Sequence, residues 1–394
     1  MKIIEILFWV CLFVVFYTYL GYGIVLYVMV KVKELFRKPV TLTLPAADEL
    51  PEVTLLVAAY NESEVVDEKM INSRALTYPK NKLKFIWITD GSSDDTNEKL
   101  SAYPEVEVLF QPQRQGKTAA LNRAIGAVKT PLVVFTDANT MINPESITEI
   151  VRAFMDPKVG CVAGEKRIAV KEKDGAASGG EGIYWKYESK LKQLDGRLYS
   201  AMGAAGELFA VRTELFEQME NDTLLDDFIL SLRIVARGYK IAYCASAYAT
   251  ESGSANMDEE EKRKIRISAG GLQSIYRLRM LLNPFHYGIV TFQYVSHRVL
   301  RWSVTPFTLF ALIPLNAALA LGTSSPFYRT VAVLQVLFYA AALTGYYLQS
   351  KQIKNKLLYI PYYFLFMNVN VFKGMAYLRR KKTGDGTWEK AKRA

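Results

Sequence analysis

The residues able to do chemistry gather between Asp90 and Asn139, as two acidic clusters with a basic one between them. The first reads Thr89-Asp90-Gly91-Ser92-Ser93-Asp94-Asp95-Thr96, the second Phe135-Thr136-Asp137-Ala138-Asn139, and Gln115-Gly116-Lys117-Thr118 lies between them. An Asp-x-Asn pair offers hard oxygen ligands to a divalent cation carrying a diphosphate. Lys117 read alone is a solvated surface lysine, and its weight comes from the acidic segments on either side. Asp94, Asp95 and Thr96 fit a helix N-cap and first turn as well as they fit a site. Further on, Gly203-Ala204-Ala205-Gly206 lets backbone approach a ligand closely. Leu224-Leu225-Asp226-Asp227-Phe228 places two carboxylates before an apolar helix, either as a cap or with one of them as a general base.

These side chains need elements to hold them. Each acidic cluster follows a short apolar run, 85–88 and 132–135, of the kind that forms buried parallel strands. Carboxylates at the carboxyl ends of such strands sit where open α/β sheets bind ligands. The pattern predicts strands over 53–58, 83–89, 106–110 and 159–163. Helices are predicted over 61–76, from about 92–96 onward, 116–128, 147–154, 183–199, from 224 to about 238, and 257–275. The helix over 116–128 can turn its N-terminus to phosphate. Residues 171–182, polar and glycine-rich, read as a mobile loop. Tyr184, Trp185 and Tyr187 are either core or a sugar-stacking platform. The reading is a nucleotide-diphosphate site on a sheet.

The chain has 394 residues, 51% of them hydrophobic, enough for a sizeable core plus membrane segments. Residues 3–30 carry one charge, Glu5, and exceed the roughly 20 residues that span a bilayer. No basic cluster precedes this stretch and no Ala-x-Ala site follows, unlike a cleaved signal peptide. Lys31, Lys33, Arg37 and Lys38 come after it, which puts the N-terminus outside and the following domain in the cytoplasm. Two more spans are expected over 304–321 and 330–348. Residues 357–372 are apolar but hold Pro361, Asn368 and Asn370, and a crossing there would export the basic cluster Arg379-Arg380-Lys381-Lys382. That segment is therefore read as interfacial or re-entrant. Residues 284–302 mix aromatic and basic side chains, as an interfacial amphipathic segment does.

The domain boundaries expected are a membrane helix with its basic flank over 1–38, a linker over 39–52, a cytoplasmic domain over 53–282, an interfacial segment over 283–302 and a membrane region with a basic tail over 303–394. The net charge of +10 lies largely beside the apolar segments, which suits a membrane surface and not nucleic acid. Cys11, Cys161 and Cys244 are odd in number and scattered, so no disulfide framework is implied. His286 and His297 lack any ligand motif and read as structural or interfacial.

In their order along the chain, Ala59-Tyr60-Asn61-Glu62, Asp90-Gly91-Ser92, Gly116-Lys117, Asp137-Ala138-Asn139, Gly203 to Arg212 and Asp226-Asp227, flanked by membrane segments, resemble the membrane-integrated family 2 glycosyltransferases. That group contains the cellulose, chitin, hyaluronan and poly-N-acetylglucosamine synthases. The resemblance implies a Rossmann-like nucleotide-sugar domain of GT-A type beside a short membrane bundle, and inverting transfer from a UDP-sugar. It implies that Ala59, Asn61, Glu62, Asp90, Lys117 and Asp137 bind the nucleotide, and that Asp137 and Asn139 hold Mg²⁺ or Mn²⁺. It makes Asp227 the general base and places Gly203, Asp226, Arg263 and Arg266 at the acceptor and leaving diphosphate. Processive members carry Gln-x-x-Arg-Trp where this chain has Arg263-Lys264-Ile265-Arg266-Ile267. Arg266 is kept, and Ile267 removes the stacking tryptophan.

The resulting expectation is a multi-pass enzyme of the cell membrane acting on a carbohydrate or lipid-linked acceptor, in contact with membrane lipid, with no nucleic acid and with room for an export or accessory subunit. Polymer synthesis and single addition both remain open. A non-catalytic nucleotide-sugar binder is disfavoured by the presence of both Asp137 and Asp227. A transporter is disfavoured by the few spans with no charge deep inside them.

Overall fold

The computed structural model describes residues 1–37, 42–169, 176–254, 256–351, 353 and 355–381, without the side chains of 176–184 and 356. Eight strands form one sheet: β1 (Val53–Ala59), β2 (Leu83–Asp90), β3 (Val106–Gln111), β4 (Leu132–Asp137), β5 (Met141–Ile142), β6 (Val159–Ala169), β7 (Leu208–Arg212) and β8 (Lys240–Ser252). Their order is β3-β2-β1-β4-β7-β6-β8-β5. The first four are mutually parallel, β7 runs against β4 and β6, and β6 lies parallel to β8. Both faces of the central strands are covered. Leu56, Ile88, Val133 and Phe135 pack into one core and Leu55, Val57, Trp87 and Val134 into the other. Two buried faces explain why these strands are continuous apolar runs and do not alternate.

Helix α1 (Lys2–Phe36) precedes the sheet, with a single π-helical turn at Tyr17–Gly21. Around the sheet lie α2 (Val66–Arg74), α3 (Thr96–Ser101), α4 (Lys117–Ala124), α5 (Ser146–Phe154), α6 (Ala176–Leu198), α7 (Asp226–Ala236) and α8 (Met257–Arg277). The last three long helices are α9 (Val304–Gly322), α10 (Pro326–Ser350) and α11 (Lys356–Arg380). By length and composition α1, α9 and α10 are able to cross a membrane. Phe8 of α1 packs with Leu312 and Leu319 of α9. Glu5, the lone charge of that stretch, accepts a hydrogen bond of 2.6 Å from the Tyr328 hydroxyl.

Four expectations change. The predicted loop over 171–182 is helical from Ala176 onward, and 171–175 lie outside the described residues. Tertiary packing of the helix body overrides the low helix propensity of those glycines. Strand β6 continues six residues past Ala163 to Ala169, through the charged Glu165-Lys166-Arg167, because Lys166 meets Glu207 and Glu251 there. Three basic side chains of 284–302 do not lie on a surface: His297, Arg298 and Arg301 are buried against Glu188 and Asp195. Residues 357–372 form no re-entrant turn, being part of one 25-residue helix that packs along α8 and α10.

Candidate active site

The sheet register sets Asp137 opposite Ala58 and Thr89 opposite Ala59. The carboxyl ends of β1, β2 and β4 thus present Ala59, Asp90 and Asp137 along one edge, and all three line a cavity of about 1100 Å³. Asp90 is buried. Its carboxylate accepts the backbone N–H groups of Gln115 at 3.0 Å and Gly116 at 2.7 Å. Asp90 thereby fixes the turn into α4, where Gly116 has φ +95°. The next residue, Lys117, sends its ammonium to Asp137 Oδ1 at 2.6 Å. Burial works against that charge, but Asp137 and Asp226 hold the Lys117 pKa above its ordinary value.

The loops after β1 and β2 are latched together. Asn61, with φ +53°, accepts from Ser93 N–H at 2.8 Å and donates its own N–H to Ser92 Oγ at 3.1 Å. Asn61 does not line the cavity, whereas Glu62 does. Asp94 accepts the backbone N–H of Thr96 at 3.1 Å and of Ser63 at 3.1 Å, so it ties the start of α3 to the neighbouring loop. The Arg114 guanidinium lies 3.8 Å from the centre of the Tyr60 ring, at the same end of the cavity.

Across the cavity, α7 opens with Asp226 and Asp227. A Cβ built on Gly206 would stand 3.3 Å from Lys117 Nζ and 3.6 Å from Asp227 Oδ2. The absent side chain at Gly206 leaves the ammonium and the carboxylate facing the same small space. The Asp227 carboxyl is pushed up to about 7, first by burial and then by Asp226, against the pull of Lys117. A carboxylate tuned near neutrality suits general-base work. Asp226 is buried and lines the cavity, and no donor among the described residues reaches its Oδ2. Gly203, expected at the acceptor, stands behind the wall instead. Its φ is +99°, and a Cβ there would come within 2.3 Å of the Phe228 ring.

Arg263 and Arg266 of α8 both line the cavity. Arg263 lies 3.7 Å from Glu207, 3.8 Å from Glu251 and 3.6 Å from Glu260. With Lys166 it neutralises a buried carboxylate cluster, where an uncompensated charge is costly. Its guanidinium thus faces carboxylates while it lines the cavity. Trp185 lines the cavity with Lys166 Nζ 4.9 Å from its ring centre, so it is cavity wall and not inner core. Tyr187 donates to the Tyr19 carbonyl at 2.6 Å, and the Tyr184 side chain lies outside the description.

Trp302 is a site residue that sequence reasoning missed. It lines the same cavity as Ile267, meets Phe228 edge to face at 5.2 Å, and presses on Gly271, where a Cβ would lie 2.4 Å from its ring. An aromatic ring therefore lines the cavity although residue 267 is aliphatic.

Asp137 and Asn139 both face the cavity, and no group of three His, Cys, Asp or Glu side chains gathers as a metal cage among the described residues. Two protein oxygens fit a cation whose shell is completed by a diphosphate and water, the usual arrangement for Mg²⁺.

A family model described as "Glycosyltransferase like family 2" matches residues 51–270, more than half of the chain. The chain belongs to glycosyltransferase family 2. The poly-β-1,6-N-acetyl-D-glucosamine synthase of Staphylococcus aureus (strain COL) is 29% identical over 242 residues, 58% of this chain and 57% of that protein. A probable glycosyltransferase, YdaM, of Bacillus subtilis (strain 168) is 25% identical over 228 residues, 52% of this chain and 51% of that protein. This glycosyltransferase therefore spans somewhat over half the length of the curated relatives it matches. Among solved structures, a mannosyltransferase from Pyrobaculum calidifontis, in complex with GDP-Man and Mn²⁺, superposes with a TM-score of 0.71 at 20% identity, over 96% of this chain and 99% of that one. That likeness establishes the GT-A type fold of the transferase.

Proposed function

We propose that this family 2 glycosyltransferase moves a sugar, with inversion, from a nucleoside-diphosphate sugar such as a UDP-sugar to a hydroxyl of a carbohydrate or lipid-linked acceptor at the cytoplasmic face of the cell membrane. The observation that carries the reading is the meeting of Lys117, Asp137 and Asp227 around Gly206, in one cavity large enough for donor and acceptor together.

The roles follow from place. The Tyr60 and Arg114 end, with Asp90 beneath it, takes the nucleoside, and Lys117 with Asp137 takes the diphosphate. A divalent cation held by Asp137 and Asn139 would neutralise charge on the leaving diphosphate, as Mn²⁺ accompanies GDP-Man in the Pyrobaculum calidifontis mannosyltransferase. Asp227 accepts the hydroxyl proton while the acceptor oxygen bonds to the anomeric carbon and the bond to the β-phosphate oxygen breaks. Attack opposite the leaving group inverts that carbon. Away from the donor end the cavity is walled by Tyr19 and Leu20 of α1 and by Ile360, Phe364 and Met367 of α11, an apolar lining suited to a membrane-held acceptor.

Polymer synthesis is the second reading, favoured by the similarity to the staphylococcal synthase. Purified protein incubated with UDP- and GDP-sugars and Mn²⁺, scored for nucleotide release and product size, tests both. Products one sugar heavier than the acceptor indicate single addition, a ladder indicates a polymer, and no nucleotide release from any donor rejects the function.

A further inference from the structure

One wall of the cavity holds cations that the transfer chemistry does not use. Lys192 of α6 is 5% exposed, lines the cavity, and makes no hydrogen bond or ion pair among the described residues. Beside it Arg298 and Arg301, also buried and lining the cavity, share the single carboxylate of Glu188 at 2.7 and 2.8 Å. His297 reaches the same carboxylate at 3.3 Å. Three cationic or basic side chains thus surround Glu188, and Lys192 is not among them.

An ammonium buried without a partner is strongly disfavoured. Burial, and then Arg298, lower the Lys192 pKa, although Glu188, Glu207 and Asp227 are near enough to pull the other way. The Arg298 guanidinium lies 5.8 Å from the centre of the Phe228 ring, the residue after Asp227, so this wall stands on the Asp227 side of the cavity. An anion on this wall would give Lys192 its missing partner. Two guanidinium groups and an ammonium match the several oxygens of a phosphate ester, which stays charged at neutral pH. From the same wall the cavity runs on to the apolar Tyr19, Leu20 and Phe364.

Building on the transfer reading, we propose that Lys192, with Arg298 and Arg301, binds a phosphate group of the acceptor, so that the acceptor is a phosphate or diphosphate ester whose apolar chain lies along α1 and α11.

The test is binding of farnesyl diphosphate to the detergent-solubilised full chain in EDTA, which withholds the cation a donor-side diphosphate depends on. Farnesol and inorganic diphosphate are the comparison probes, with Lys192→Gln and Lys192→Arg as variants. Wild type should bind farnesyl diphosphate at least about 10-fold tighter than farnesol, Lys192→Gln should lose that advantage, and Lys192→Arg should keep most of it. Inorganic diphosphate binding as tightly, and equally dependent on Lys192, keeps the phosphate site but makes a soluble phosphorylated sugar its source. Equal binding of farnesol and farnesyl diphosphate to wild type overturns the proposal, as does a Lys192→Gln protein that binds farnesyl diphosphate like wild type. If Lys192→Gln fails to fold, the wild-type comparison with farnesol decides alone. Nucleotide release by wild type from sugar donors reports the transfer reading separately. A protein that binds farnesyl diphosphate through Lys192 yet releases no nucleotide keeps the phosphate site and loses the transferase reading.

Discussion

Lys117 Nζ lies 2.6 Å from Asp137 Oδ1 and shares with Asp227 Oδ2 the space left open above Gly206. One ammonium thus links the carboxylate proposed for the donor diphosphate to the one proposed for the acceptor proton. Its removal should act on both. Lys117→Met is expected to lower kcat/KM by about 10- to 100-fold, the worth of one charge-assisted contact. It should also raise the Asp227 pKa, since Lys117, ahead of the Phe228 N–H, pulls it down. Lys117→Arg should recover part of the loss. Steady-state kinetics across pH check this, and an unshifted profile in Lys117→Met would show that the two carboxylates are not coupled through the lysine.

Turnover should require a divalent cation, because Asp137 and Asn139 supply only part of an oxygen shell. Excess EDTA should abolish activity and added Mn²⁺ or Mg²⁺ should restore it. Asp137→Ala should raise the donor KM and lower kcat together. Full turnover in EDTA would reject the site assigned to these two residues.

Gly203 bears on stability, not on binding. With φ +99° and a Cβ position 2.3 Å from Phe228, Gly203→Ala combines overpacking of about 1–3 kcal/mol with a backbone cost of about 1–2 kcal/mol. Gly238→Ala is the control, since φ there is +92° and nothing lies within 4 Å. Thermal unfolding in one detergent should rank wild type above Gly238→Ala and that above Gly203→Ala. A Gly203→Ala protein as stable as the control would mean that Phe228 is not seated there.

The proposed topology makes a further prediction. A reporter fused after Arg37 should lie in the cytoplasm, because the basic cluster follows the first apolar helix. A C-terminal reporter should lie there too if α11 stays on the near side of the membrane. An external C-terminus would show that α11 crosses.

Much of the half proposed for the donor was legible in the sequence, for a physical reason. Strands buried on both faces are continuous apolar runs, so the ends of β2 and β4, and with them Asp90 and Asp137, could be located from composition alone. The half proposed for the acceptor was not. Arg298 and Arg301 look like surface cations because their shared partner, Glu188, lies more than a hundred residues earlier, and periodicity carries no information about such a partner. Trp302 occupies cavity wall only because Gly271 and Phe228 leave room for it. The start of α6 was misread because its glycines argue against helix locally, and packing overrules them. The signal that would have found Lys192 and its neighbours is the excess of basic residues within a segment otherwise able to bury itself.

Asp227 gives the sharpest prediction. Deprotonation of an acceptor hydroxyl by a positioned carboxylate typically contributes about 10²- to 10⁴-fold. Asp227→Asn keeps the shape and the acceptor oxygen for Phe228 N–H, which Asp227 Oδ1 now meets at 2.8 Å, but removes the base. Turnover should fall within that range while donor affinity stays nearly intact. The base acts deprotonated, so in the wild type kcat/KM should rise with pH, bend near 7 and level off above it. The variant should lack that limb. Stability should move the other way. A carboxyl raised from 3.8 to about 7 binds its proton more tightly when folded, so folding is favoured at low pH and that contribution is lost as pH rises from 3.8 through 7. Asn carries no charge to bury, so at pH 8 Asp227→Asn should unfold at the same temperature as wild type or higher. A purely capping Asp227 predicts near-normal turnover in the variant, since Asn caps as well as Asp. Kinetics across pH and thermal unfolding at pH 8, measured on one preparation, separate the two, and an unchanged kcat would sink the base assignment.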